Sequence, residues 1–383
     1  MLKKKGNDMK RSFIREILEH TTNETISFAG GLPDSTLFPH LALKEAANNA
    51  LNNPHALQYS TSTGYEPLKQ KIAKQYTQEG FPTTSDEILI TSGSQQALDI
   101  ISRFYHDRDI TIEAPSYLGA MNVFTLNHLT CDSVALEDDG VDIENFKKSF
   151  SNTKFTYLIP DFQNPSGCTL SIEKRREIAK IIQDMDGIMI EDSPYSKLYF
   201  EEEMPSISTL IPKQSFHLGS FSKTLAPALR IGWIRADKKL LQPLIAYKEA
   251  MDLHTNGLVQ HILDAYLEEG NHYKNHLDIL RNAYHDKMEF FVQMLDELLP
   301  SFIYAKPKGG MFIYGRFTDI NTSVLVQKCL EKEVLFVPGA EFYTHEKVNN
   351  EIRFNFTNAS REEIKKGLMI IQSVISHQPP LSP

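Results

Sequence analysis

The sequence predicts an α/β fold, with a mostly parallel seven-stranded sheet flanked by helices and a smaller α+β unit after it. Three observations carry that expectation. Between about residues 86 and 236, short apolar runs alternate with stretches of helical period, the signature of parallel strands covered by helices. Beyond about residue 270 the texture changes to a long amphipathic segment followed by short strand-like runs. The 383 residues are enough for one large core or two domains.

In chain order, strands are expected at 87–91, 109–113, 133–136, 155–160, 187–191, 216–219 and 231–234. Helices are expected at 95–105 and 172–185. Ser171 is read as the N-cap of the second, with Lys174, Arg175 and Arg176 on its wet side. A helix at 273–298 and a strand at 334–337 complete the pattern. The expected organisation is 1–45 as an N-terminal arm with part of the small domain, 46–275 as the large domain and 276–383 as the C-terminal small domain. No Gly/Ser-rich linker separates them, so a long helix or tight crossover is expected to join them.

Composition narrows the function classes. A net charge of −9 argues against nucleic acid as the main partner. Three widely spaced cysteines, Cys131, Cys168 and Cys329, suggest a reducing compartment rather than a disulfide framework or a zinc site. No apolar run has the length of a signal peptide or membrane span, so a cytoplasmic protein without a membrane partner is expected. No metal site is expected; His254 and His261, seven apart, are read as sharing a helix face.

The chemistry-bearing residues converge on one cofactor. Lys223 stands in Ser220-Phe221-Ser222-Lys223-Thr224, with Arg230 seven positions on. A lysine amine can form a Schiff base with an aldehyde, and the flanking Ser220, Ser222 and Arg230 can hold a phosphate. Ser94 and Gln95 lie in Ser92-Gly93-Ser94-Gln95 at a strand-to-helix turn, where free N–H groups favour an anion. The competing reading is an ordinary turn capped by Ser94. Asp192 ends an apolar strand and can pair with a pyridine nitrogen; a turn-capping Asp before Pro194 is the alternative. Tyr195 and Asn164 can hydrogen-bond a phenolic oxygen, and Tyr117 can stack on a ring, although core packing explains a tyrosine equally well. Arg353 interrupts an apolar strand, a cost that either a substrate carboxylate or an internal salt bridge would offset. These groups together point to pyridoxal 5'-phosphate.

The motifs, from Phe28-Ala29-Gly30-Gly31-Leu32-Pro33-Asp34 to Arg353, resemble the fold-type I pyridoxal phosphate enzymes of the class I/II aminotransferase family. The opening motif and Leu37-Phe38-Pro39 are similar to the 2-aminoadipate/kynurenine aminotransferase branch, which is related to the catalytic-like domain of MocR regulators. The resemblance implies a transaminase acting on amino acid and 2-oxo acid substrates by a ping-pong mechanism. In it Lys223, Asp192 and Tyr195 are catalytic, Asn164 contacts the phenolic oxygen, Tyr117 stacks, and Gly31, Asn164 and Arg353 meet substrate. It implies a homodimer with shared active sites in which Tyr59 reaches the neighbouring phosphate, and a segment at 13–18 covering the site. Two departures are visible, Ala228 where glycine is common and Tyr314 where tryptophan is common. A pyridoxal phosphate-binding regulatory module and a β-elimination chemistry are the competing functions. The amino donor stays open among aromatic, branched-chain, 2-aminoadipate and alanine types.

Overall fold

The computed structural model describes Thr22 and residues 24–268, 271–345 and 348–377. In chain order the strands are β1 (Ile26–Ser27), β2 (Ile88–Thr91), β3 (Ile110–Ala114), β4 (Cys131–Glu137), β5 (Gly140–Val141), β6 (Phe155–Leu158), β7 (Ile188–Asp192), β8 (Ser215–Ser220) and β9 (Gly232–Arg235). They continue with β10 (Ile303–Tyr304), β11 (Phe312–Arg316), β12 (Val334–Leu335), β13 (Val337–Pro338) and β14 (Glu351–Asn355). The helices are α1 (His40–Leu51), α2 (Glu66–Gln78), α3 (Ser94–Phe104), α4 (Leu118–Leu126), α5 (Ile143–Thr153), α6 (Ile172–Asp184), α7 (Lys238–Asp252), α8 (Gly257–Glu268), α9 (His272–Leu298), α10 (Thr322–Leu330) and α11 (Arg361–Ser376).

The large sheet runs β2-β9-β8-β7-β6-β3-β4-β5. From β8 to β4 every pairing is parallel, whereas β9 runs antiparallel to both β2 and β8. The central strands β3, β6 and β8 are buried along their whole length, as expected where helices cover both faces of a parallel sheet. All seven expected strands are present. The eighth, β5, is a two-residue edge strand whose Gly140–Val141 pair is too short to announce itself by alternation.

Parallel strands place their C-terminal ends along one edge, and ligands bind outside that edge in open α/β sheets. Here β6, β7 and β8 are adjacent, so the segments after them bring Asn164, Asp192 and Lys223 to one place.

A second sheet, β10-β11-β14-β13, is antiparallel and puts Arg353 opposite Tyr314 on one side and Val337 on the other. The strand expected at 334–337 is split: β12 pairs with β1, and β13 turns to pair with β14. Through β1 and the bond from Asn355 N–H to the Phe28 carbonyl (2.8 Å), the segment carrying Gly31 is strapped to the C-terminal elements.

Helix α6 begins at Ser171, whose hydroxyl accepts from Lys174 N–H, but its wet side is narrower than expected. Arg176 is exposed, whereas Arg175 is fully buried on an ion pair with Asp161 (2.6 Å). The periodicity is overridden because Arg175 also reaches three backbone carbonyls.

Candidate active site

Asp192 closes β7 and is 2% exposed. The Tyr157 hydroxyl donates to its Oδ2 at 2.9 Å, while Oδ1 is buried with no hydrogen-bond partner among the described residues. Burial pushes the carboxyl up to about 7. An unmatched buried oxygen costs free energy, so its retention calls for an explanation. A protonated ring nitrogen would satisfy Oδ1 and hold Asp192 as an anion.

Asn164 Oδ1 accepts from Arg353 Nη1 (2.7 Å), which fixes the amide's orientation and turns Nδ2 toward the Tyr195 hydroxyl (3.2 Å). Tyr195 is buried, and burial holds its pKa well above the usual phenol value, so the hydroxyl keeps its proton. Having accepted from Asn164, it has that proton to donate.

Arg353 is 2% exposed, and no Asp or Glu among the described residues pairs with it. Its guanidinium lies 4.3 Å from the Phe312 ring centroid and 5.0 Å from that of Phe342. Nη2 donates to the Ala29 carbonyl, and Nε has no partner among the described residues. Burial lowers its pKa to about 10. The internal salt bridge weighed as an alternative is therefore not what holds this cation, and the planar fork retains capacity for a carboxylate.

Lys223 Nζ donates to the Gly31 carbonyl at 2.7 Å. Burial first, and then the positive charges of Arg353 and Arg230, lower its pKa to about 8. Gly31 is closely packed: a Cβ there would press on Phe312 Cζ at 3.3 Å and lie 3.7 Å from Lys223 Nζ, so the missing side chain keeps that space clear. The lysine and Arg353 thus lean on the same short segment, Ala29 to Gly31.

At the far end of this cluster, the cap of α3 is Gly93 and not Ser94. Gly93 has φ of +85°, so the backbone calls for glycine, and a Cβ there would come within 2.8 Å of the flexible Arg230 Nη2. Ser94 is the first helical residue, and its Oγ is buried without a partner among the described residues. Gln95 turns its side chain to the Gly119 carbonyl (3.0 Å), leaving its backbone amide at the helix start. Arg230 is exposed and donates to the Ser92 carbonyl (3.1 Å), which brings its charge over the helix N-terminus. Ser222 N–H donates to Ser220 Oγ (3.1 Å) in the adjoining turn. Backbone N–H groups at a helix start beside a guanidinium are the chemistry that suits an anion. Tyr117 caps α4 with its ring against Gly119.

Tyr59 stands apart from this cluster, 80% exposed with its ring edge against His254 (5.8 Å). The two histidines do not share a helix face: His254 precedes α8, while His261 lies within it against Tyr65. The segment at 13–18 lies outside the described residues. Sequence reasoning missed Tyr157 and Glu113, since a tyrosine in FTYL and a glutamate in ITIEA carry no motif. Ala228 lies in a short exposed turn, and the Tyr314 hydroxyl donates to Glu351.

The aminotransferase class I and II family matches residues 25–371. The chain is 34% identical to aromatic-amino-acid aminotransferase 1 of Thermococcus litoralis, over 98% of this chain and 94% of that one. It is 35% identical to the 2-aminoadipate transaminase of Thermus thermophilus, over 94% and 92%. The structure of the Thermus thermophilus α-aminoadipate aminotransferase complexed with N-(5'-phosphopyridoxyl)-L-leucine superposes with a TM-score of 0.89 at 33% identity, covering 96% of this chain and 95% of that one. The chain belongs to the class I and II aminotransferases, and it is a pyridoxal phosphate-dependent enzyme of fold type I.

Proposed function

We propose that the chain moves an amino group between an L-amino acid and a 2-oxo acid in a ping-pong cycle centred on Lys223. The observation that carries this reading is the buried, unpartnered Asp192 Oδ1, oriented by Tyr157 in the same cluster as a lysine of lowered pKa. Pyridoxal phosphate supplies an aldehyde to hold the amine and a ring that takes up electrons from the substrate's α-carbon.

The chain's own residues do the rest. Asp192 keeps the ring nitrogen protonated. Tyr195 and Asn164 donate to the phenolic oxygen, and Tyr117 packs on the ring. The α3 N-terminus at Ser94 and Gln95, with Ser220, Ser222 and Arg230, holds the phosphate. Arg353 grips the substrate α-carboxylate with its fork and Gly31 leaves space beside it, while Asn164 steadies that fork. Lys223 Nζ takes the proton from the substrate α-carbon and returns it at the cofactor's aldehyde carbon. A pKa lowered to about 8 gives it a usable fraction of free amine near neutrality.

The same reading includes the three-part division 1–45, 46–275 and 276–383, supported by the pairing of β1 with β12. It includes a homodimer in which Tyr59 serves the neighbouring phosphate. The exposed Leu41, Leu51, Leu57, Tyr59, Met251 and Leu253 support such an interface, with the Tyr59 to His254 ring contact linking the two stretches. A cytoplasmic setting fits three free cysteines. Titrating the reconstituted protein with single amino acids, beginning with aromatic donors and 2-aminoadipate, tests the function. Conversion of the bound cofactor's visible absorption to that of the aminated form is expected. An absorption that never converts favours the regulatory module, and pyruvate with ammonia favours elimination.

A further inference from the structure

Glu113 is the second carboxyl near the ring-binding cluster, and the reaction does not use it. It lies on β3 and is fully buried. Its Oε2 accepts from Ile159 N–H (3.1 Å) and from Gln163 Nε2 (3.2 Å), and Oε1 has no partner among the described residues. No cation pairs with it among the described residues.

Gln163 has its whole amide engaged. Nε2 also donates to the Pro115 carbonyl (2.8 Å), and Oε1 accepts from the N–H and hydroxyl of Ser166 (2.9 and 2.6 Å). Pro115 lies two residues before Tyr117, and Gln163 is the neighbour of Asn164. One carboxyl and one amide therefore connect the segment that presents the stacking ring to the segment that presents the phenolic-oxygen contact.

We propose that Glu113 is a positioning residue, a neutral hydrogen-bonding acid that ties the Tyr117 segment to the Asn164 segment and so sets the slot for the cofactor ring. This rests on the cofactor placement proposed above. An unpaired carboxylate anion at such a depth is costly, and ionising Glu113 beside Asp192 would add repulsion. Burial, with Asp192's charge adding to it against the two N–H bonds, pushes the Glu113 carboxyl up to about 8. Its other ionisable neighbours, Tyr157 on β6 and Cys168 beyond the Asn164 segment, are acids too. A neutral Glu113 leaves Asp192 as the anion that faces the ring.

A glutamine at 113 would keep an oxygen for Ile159 and Gln163 and put an amide where the acid O–H stood. Glu113→Gln is therefore expected to bind pyridoxal phosphate within about threefold of wild type, with the same visible circular dichroism of the bound ring. Glu113→Ala is expected to bind about tenfold more weakly, with altered dichroism. Should Glu113→Ala fail to fold, Gln163→Leu cuts the same link and is expected to show the same weakening. Wild-type affinity and dichroism in Glu113→Ala, or in Gln163→Leu where only that variant folds, would overturn the proposal. So would a folded Glu113→Gln that binds as weakly as Glu113→Ala. A wild-type protein with no lysine-bound absorption band would instead sink the cofactor placement itself.

Discussion

Two buried arginines that both reach the 160–164 segment show how differently this molecule treats a charge taken out of water. Arg175 spends every nitrogen: Nε on the Leu170 carbonyl, Nη1 on Pro205, Nη2 on Pro160 and Asp161. Arg353 is as deeply buried, yet among the described residues Nε is unmatched and no carboxylate opposes it. The same contrast separates Asp161, paired with Arg175, from Asp192, which keeps an empty-handed oxygen. A satisfied buried charge holds loops in place. An unsatisfied one is held ready for a group that arrives later, and the surrounding packing bears its cost.

If that division is right, substitutions on the two sides fail in different assays. Lys223→Ala should show the largest effect, a loss of turnover of about 10⁴-fold in a protein that still unfolds cooperatively in urea. Near-wild-type turnover in that variant would break the assignment. Arg175→Ala should cost about 3–5 kcal/mol of stability, read by urea denaturation, because it strands the Asp161 charge. Arg353→Leu should instead lower kcat/KM by about 10- to 100-fold, the loss of a charged hydrogen-bonded grip, while the midpoint moves little. A variant of Arg353 that unfolds as readily as Arg175→Ala would erase the distinction.

The smallest of these effects is a pH slope. Lys223 has a folded pKa of about 8, below its ordinary value, so between the two the unfolded chain holds the proton and the folded chain does not. The burial penalty on this cation is full below about pH 8 and is relieved as pH rises. Stability of the cofactor-free protein should therefore gain about 1.4 kcal/mol per pH unit through that window from this group. Comparing urea midpoints of wild type and Lys223→Met at pH 8 and 9.5 isolates it; equal slopes in the two proteins would remove the claim that the amine is buried.

Much of this was legible beforehand for a physical reason. Parallel strands are apolar runs, so 155–160 and 187–191 locate the sheet edge, and Asn164 and Asp192 lie at the C-terminal side of those runs, where open α/β sheets bind ligands. What stayed hidden depends on tertiary partners. Arg175 looks like a wet helical residue until Asp161 and three carbonyls are seen around it. Tyr157 and Glu113 read as core until one is found donating to Asp192 and the other holding Gln163. Ser94 looks like a cap, but Gly93 takes that place with a φ of +85°, which a glycine adopts without strain.

The structure of the protein reconstituted with pyridoxal phosphate bears on this division most directly. Continuous density from Lys223 Nζ to the cofactor is expected, with Asp192 Oδ1 hydrogen-bonded to the ring nitrogen and the phosphate at Gly93 to Gln95. A cofactor bound elsewhere, or one that leaves Asp192 Oδ1 unpartnered, would contradict the view that the unmatched atoms of Asp192 and Arg353 mark the reacting site.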